Sequence, residues 1–474
     1  MLSNDVWLRL PPGVKLIDKV GNVHAIVKLV RSLYGLRAAP QHFNKVLVKF
    51  MTKCGFKQCV ADTCLFSRKT DDGWVLVASE VDDLLITGTD TNAIAQFKQA
   101  LIDEFSITDY GPINSFLGIN INYCKDQGEL EMDVEYKIDH LFEKHQMLAG
   151  HLKGKADVAF LEEHANIPDD KPITTAVDKH ILENYASLNG MLIYMGITCR
   201  PDITYALSKT SKGMHDPKPK HVAMLRQLLQ YMYKSKVLCL AYSRDNPPMY
   251  GLLGDIGRSD AALSFVGTSD GQHVRRLAGF ADANYANITD DERKSNTGYI
   301  FFMFGCAIIW RSKLQPITAT STHEAELIAC AMASAEAIWC RKLLTDLGFV
   351  FELEPVIYRD DSLKAKLELD GVYINDEQYR ADPLWLFNDN LGTTQTINNP
   401  NSVSPGIKHI DTRFFRIRQW VEAAKLRIAY VGTDFNVADF FTKGLTWPKF
   451  SRFRDRIGMR YKTPQRCDRS TARN

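Results

Sequence analysis

The sequence predicts a multidomain protein of mixed α+β and α/β class. Residues up to about 150 interleave short β-favouring runs with amphipathic helical periods. A middle block is helical and lies between a polar stretch and a Gly- and Ser-rich one. The last block opens on strands, passes through one long helix and closes on alternating strands and helices. At 474 residues the chain has room for roughly two to four domains with their own cores.

In the first block, Lys28-Leu-Val-Arg-Ser-Leu-Tyr-Gly-Leu-Arg-Ala-Ala-Pro40 reads as a short strand or turn entering a helix. That helix, over 41–54, places Phe43, Val46, Leu47 and Phe50 on one face. Trp74-Val-Leu-Val-Ala-Ser-Glu-Val-Asp-Asp-Leu-Leu-Ile-Thr-Gly88 has β-favouring residues on both sides of a polar break. This pattern predicts a hairpin with Asp82 and Asp83 at its tip. A helix over 93–105 carries Ala95, Phe97, Leu101 and Phe105, and residues 114–123 alternate as one strand.

Residues 154–178, with Pro168 and Pro172, read as a polar connector. A helical block covers 184–236, where Pro201 suits a first helical turn. Residues 251–272 form a second linker. Strands are then expected around Ala278-Gly-Phe-Ala-Asp-Ala283, Gly298-Tyr-Ile-Phe-Phe-Met-Phe-Gly305 and Ala307-Ile-Ile-Trp310. A long helix over 322–347 has Thr320 or Ser321 as its cap and Gly348 as its stop. A helix over 413–424, a strand over 427–431 and a short helix at Ala438-Asp439 complete the block. The remaining tail is polar and basic, and is expected to lack order.

Composition narrows the function classes. Hydrophobic content of 45% and charged content of 24% fit a globular protein rather than a disordered one. Net charge is +2, so nucleic-acid binding would have to come from local patches. The apolar run 299–310 is too short to span a bilayer, and the first residues lack a signal-peptide layout. No membrane association is expected. Cys54, Cys59 and Cys64 are not followed by a second pair or a histidine cluster at zinc spacing. The cysteines read as thiols of a reducing compartment.

Chemistry is carried by acids. Adjacent carboxylates at Asp82 and Asp83 repel unless a cation binds them, and a divalent metal is the usual answer. An ordinary acidic turn is the competing reading. In the last block Asp282 ends a strand, Glu326 lies near the start of the long helix and Asp439 opens the last helix. A further aspartate, Asp360 or Asp389, follows an apolar run. Acids at strand ends and helix starts can converge on one sheet edge. There they would hold two Mg²⁺ about 3.5–4 Å apart for phosphodiester hydrolysis. Taken singly, each acid reads equally as a solvated cap or turn.

Ordered motifs then accumulate along nearly the whole chain. They include Leu10-Pro-Pro-Gly13, Ser32-Leu-Tyr-Gly-Leu36, Val81-Asp-Asp-Leu-Leu85 and Phe116-Leu-Gly-Ile119. Arg200-Pro-Asp-Ile203, Met214-His-Asp-Pro217, Lys294-Ser-Asn-Thr-Gly-Tyr299 and Ser321-Thr-His-Glu-Ala-Glu326 follow. Lys408-His-Ile-Asp411 and Ala438-Asp-Phe-Phe-Thr-Lys443 close the series. With these motifs the chain closely resembles the C-terminal part of a copia-type retrotransposon polyprotein.

The resemblance implies a truncated reverse-transcriptase palm over 1–153 and a helical thumb or connection over 154–274. It implies a ribonuclease H-like mixed five-stranded sheet with flanking helices over 275–446, followed by the tail, 447–474. Asp82 and Asp83 map to two of the three polymerase metal ligands. The third is expected upstream of this chain, since Asp5 is not in the matching position. Glu80 stands where the family has tyrosine. Polymerase activity by this chain alone is therefore not expected.

In the ribonuclease H part the pattern carries over to Asp282, Glu326 and Asp439. Counting from Glu326 gives Asp360 as the remaining acid; counting back from Asn399-Pro400 gives Asp389. Asp389 is preferred, because Asp389-Asn-Leu-Gly resembles the family's run more closely. That choice implies an insertion over about 361–388, a size that a surface loop tolerates. His409, in the Lys-His-Ile-Asp match, is either a structural polar residue or a catalytic or substrate-contact one.

The implied function is Mg²⁺-dependent cleavage of RNA in RNA–DNA hybrids, with Mn²⁺ as the alternative ion. A decayed or domesticated nucleic-acid-binding fragment is the other reading. Implied partners are hybrid and template-primer, in the cytoplasm, a virus-like particle or the nucleus. Arg31, Arg37, Arg413, Arg416 and Arg418 are candidate phosphate contacts, with solvated surface charge as the competing reading.

Overall fold

The computed structural model describes the chain except residues 1–5, 15, 18, 25, 31–35, 37–38, 153–155, 246–247, 249–276, 286–292, 350–352, 355–379, 382–383, 400–411, 424 and 463–474. Two compact units emerge, Met1–Asp109 with Lys342–Phe349, and Tyr110–Arg341 with Val350–Asn474. The expected boundary near residue 153 falls inside the second unit. The class is mixed α/β with several sheets.

In the first unit, Lys57–Gln58, Leu65–Lys69, Trp74–Glu80 and Asp83–Gly88 form an antiparallel sheet in that order. Side chains alternate faces along a strand, so Val75 and Val77 both point inward. They share a core with Leu47, Phe50 and Met51 of helix Ala39–Lys53 and with Phe97 and Leu101 of helix Thr91–Phe105. Asp90 caps the second helix by accepting from the Ala93 N–H at 2.8 Å. Glu80 pairs with Asp83, which leaves Val81 and Asp82 as a two-residue turn.

The second unit contains two five-stranded sheets. The first is antiparallel throughout, in the order Met459–Tyr461, Leu238–Ser243, Glu129–Asp133, Ile119–Cys124, Ser115–Phe116. The single strand expected over 114–123 is instead a hairpin. Leu117 and Gly118 take positive φ, 51° and 70°, and turn the chain back on itself. The expected tail also differs. Residues 447–461 form helix Trp447–Arg456 and a strand, because Phe450, Phe453, Ile457 and Met459 are buried. The polar connector is likewise part of the core, through Ala156, Val158, Ala159 and Phe160. Helices Tyr185–Thr198 and Pro219–Lys234 pack there through Leu188, Leu192, Leu225, Leu228 and Leu229.

The second sheet runs Cys306–Leu314, Asn296–Met303, Ala278–Asn284, Leu384–Asn388, Leu426–Tyr430. The first three strands are antiparallel neighbours, whereas the last two join in parallel register. Ala278–Asn284 is central, with Phe280 and Ala281 fully buried. Leu384–Asn388 is buried at every position, so an insertion reaching residue 388 is corrected: these residues are the fourth strand of the sheet. The long helix is Thr322–Asp346, and the helix expected over 413–424 splits into a 3₁₀ turn, Thr412–Phe415, and Arg416–Glu422.

Cys54, Cys59, Cys64, Cys199, Cys239, Cys306, Cys330 and Cys340 are thiols, as expected. Cys124 departs from that expectation and is disulfide-bonded; sequence spacing carries no information about such a pairing. Among the described residues no helix is long and apolar enough to cross a membrane.

Candidate active site

The second sheet brings three acids to one edge. Asp282 lies near the end of the central strand, opposite Gly298. Leu384–Asn388 runs parallel beside it, so Asp389, the next residue, emerges at the same edge. Glu326 comes from the second turn of the long helix. Ser321 accepts from the Glu324 N–H at 3.1 Å, and the Glu324 carboxylate accepts from the Thr320 N–H and hydroxyl at 2.6 and 2.7 Å. Glu324 thus serves the helix start. Two residues further on, Glu326 joins the site. Carboxylate oxygens of Asp282, Glu326 and Asp389 lie within 4.8 Å of one another.

Polar neighbours fix these carboxylates. The Thr442 hydroxyl donates to Asp282 Oδ2. Asn388, fully buried, donates to Glu326 Oε2 at 2.8 Å and to the Ala281 carbonyl at 3.1 Å. Its own Oδ1 accepts from the Asn390 N–H at 3.0 Å. Asn390 in turn caps helix Leu391–Asn398 by accepting from the Thr393 N–H at 2.9 Å.

Burial pushes the Asp282 carboxyl up to about 8, and the carboxylates of Asp439 and Asp389 add to the shift; Lys443 and the Thr442 bond oppose it. Burial, then Asp282, also raises Glu326 well above the usual carboxylate range, against the Asn388 bond. Buried oxygen donors that repel one another suit a hard divalent cation, whose charge removes the repulsion. The three carboxylates therefore fit Mg²⁺ or Mn²⁺.

Asp439 is placed differently. It lies in the 3₁₀ turn Val437–Phe441 and is wholly buried. Lys443 Nζ is 2.6 Å from one of its oxygens and Lys449 Nζ is 2.6 Å from the other. It is not among the three acids that lie within mutual reach. Asn436 staples this turn to the central strand, accepting from the Ala438 N–H at 3.2 Å and donating to the Ala281 carbonyl at 3.1 Å. Burial lowers the Lys443 pKa, but Asp282 and Asp439 outweigh it and the group is held above its ordinary value.

Asp82 and Asp83 are exposed at the tip of the first unit's hairpin, next to exposed Glu80. Among the described residues no third acid joins them in a metal-sized group. Arg413 and Arg416 are exposed, with their guanidinium groups 4.7 Å from the Phe414 ring and 5.3 Å from the Trp420 ring. Arg418 is half-buried and donates to the Thr396 carbonyl at 3.1 and 2.7 Å, which ties down helix Leu391–Asn398. Arg31, Arg37, Asp360 and His409 lie outside the described residues. Sequence reasoning missed Asn388, Thr442, Lys443 and Lys449. The signal for Thr442 and Lys443 was present in the Ala438-Asp-Phe-Phe-Thr-Lys443 motif.

Residues 1–152 match the family model described as reverse transcriptase (RNA-dependent DNA polymerase). The chain is 28% identical over 470 residues to the Retrovirus-related Pol polyprotein from transposon TNT 1-94 of Nicotiana tabacum, covering 97% of this chain and 30% of the relative. It is 29% identical to that from transposon RE1 of Arabidopsis thaliana, covering 97% of this chain and 26% of the relative. The putative transposon Ty5-1 protein YCL074W of Saccharomyces cerevisiae is 25% identical, over 70% of this chain and 94% of its own length. Thus the chain spans under a third of the length of the plant relatives it matches. Among solved structures, RNase H1 from Halobacterium salinarum NRC-1 aligns with 35% of this chain and 94% of its own, at 13% identity and a TM-score of 0.21. Over almost all of its length the chain is thus similar to the Pol polyproteins of copia-type retrotransposons.

Proposed function

We propose that the second unit contains a divalent-metal-dependent ribonuclease H acting on the RNA strand of RNA–DNA hybrids. The observation that carries this is the convergence of Asp282, Glu326 and Asp389 within 4.8 Å at one edge of the five-stranded sheet. The strand order supports it, with three antiparallel strands followed by two parallel ones, as a ribonuclease H-like fold requires. We read residues from the central strand at Ala278 to the turn ending at Phe441 as this module.

Asp282, Glu326 and Asp389 would hold the ion. When bound, it supplies Lewis acidity toward a phosphodiester and lowers the pKa of water. The chain's own residues do the rest. Thr442 and Asn388 fix Asp282 and Glu326, so little reorganisation accompanies binding. Arg413 and Arg416 offer exposed cations for phosphate contact, which makes binding salt-dependent and weakly sequence-specific.

Full-length protein should cleave hybrid RNA with Mg²⁺, and Asp282→Asn should abolish cleavage. Equal cleavage by that variant would overturn the assignment. Asp389→Asn is expected to be inactive and Asp360→Asn active; the reverse result moves the third acid to Asp360. Hybrid binding without cleavage by the wild type would favour the non-catalytic reading.

RNA-directed DNA polymerisation is the second reading, favoured by the family match over residues 1–152 and by the acidic pair at the hairpin tip. Primer extension on an RNA template, lost in Asp83→Asn, would establish it.

A further inference from the structure

Asp439 is the fourth acid of the ribonuclease H pattern, yet both its oxygens already carry a cation. Lys443, four residues on, reaches one oxygen, and Lys449 reaches the other from helix Trp447–Arg456. Both nitrogens lie 2.6 Å from their oxygens; Lys449 donates a hydrogen bond, whereas Lys443 pairs by charge without hydrogen-bond geometry. The carboxylate is wholly buried, so water cannot readily compensate if either lysine withdraws. The three remaining acids make a group that excludes Asp439. A two-ion site needs Asp439 as an oxygen donor for the second ion, and here that donor is taken.

Building on the ribonuclease H reading, we infer that Lys443 supplies the positive charge beside Asp439 that a second divalent ion would otherwise bring, so the acidic site takes one ion. Lys449 is a positioning residue. It holds Asp439 from the helix side and leaves Lys443 on the side of Asp282. An ammonium group in this position also limits the negative charge gathered at the sheet edge when the first ion is absent.

The test is metal stoichiometry, read without turnover. Mn²⁺ is titrated into full-length protein and followed by electron paramagnetic resonance and calorimetry. The wild type should bind one ion at this site, with no spin-coupled pair, and Asp282→Asn should lose it. Lys443→Met should gain a second, weaker ion and show spin coupling, whereas Lys443→Arg should keep one. Two coupled ions in the wild type, falling to one in Asp439→Asn, would overturn the inference and leave the ribonuclease H reading standing. No ion in the wild type would remove both. The wild-type count decides even where Lys443→Met fails to fold.

Discussion

The buried amide of Asn388 donates to Glu326 at 2.8 Å while its second hydrogen reaches the Ala281 carbonyl at 3.1 Å. One side chain thereby links the long helix to the central strand at the point where the acids meet. Asn388→Leu keeps the approximate volume and removes both donors. Ala281 and Glu326 keep second donors in Asn436 and the Ala283 backbone, but the Asn390 N–H loses its acceptor, and losing these buried bonds together costs about 1–3 kcal/mol. Urea unfolding should show a loss of that size, and Mn²⁺ affinity should fall because Glu326 is no longer oriented. Unchanged affinity would mean that Asn388 serves the fold alone.

Metal-free protein should lose stability as pH rises. Burial, together with Asp439 and Asp389, pushes the folded Asp282 carboxyl from 3.8 to about 8. Between those values the folded chain keeps a proton that the unfolded chain has released. The contribution is full below the unfolded pKa and is lost as pH climbs through the folded one. In EDTA, the melting temperature should therefore fall between about pH 5 and pH 8. Mg²⁺ should flatten the slope, because binding exchanges the proton for the ion. Asp282→Asn in EDTA should flatten it too. A metal-free profile identical in wild type and Asp282→Asn would rule out this residue as the source.

Why some of this was legible and some was not follows from the reach of each signal. Helices Ala39–Lys53 and Thr91–Phe105 announce themselves by local periodicity, and Asp282 and Glu326 stand in recognisable local runs. The strand Met459–Tyr461 does not, because it is three residues long and pairs with Leu238–Ser243 across more than two hundred residues. Its polar neighbours looked like tail, yet Arg460 bonds Glu129 and Glu131, at 2.8 and 3.0 Å. The lysines on Asp439 were hidden for a related reason. A lysine in a motif reads as surface charge until the fold shows a buried carboxylate beneath it.

Gly298 tests how tightly the last turn of the module is held against the central strands. It pairs with Asp282 across the sheet. A β-carbon there would lie 2.7 Å from the Phe441 β-carbon, 2.7 Å from the Thr442 methyl and 2.9 Å from the Ala438 carbonyl. Two of those atoms belong to the backbone-near part of the turn and cannot swing away, so Gly298→Ala must displace the turn itself. That movement would draw Thr442 off Asp282 and shift Asp439 with its lysines. Overpacking of this kind costs about 1–3 kcal/mol, and the displaced turn should also weaken Mn²⁺ binding. Gly190→Ala is the matched control. It sits in helix Tyr185–Thr198 with nothing within 4 Å of a new β-carbon, and helix propensity favours alanine by about 1 kcal/mol. Thermal unfolding should order the three proteins as Gly190→Ala at or above wild type, with Gly298→Ala below. If Gly298→Ala melts and binds Mn²⁺ like wild type, the turn is loosely packed, and Thr442 is not held on Asp282 by the sheet.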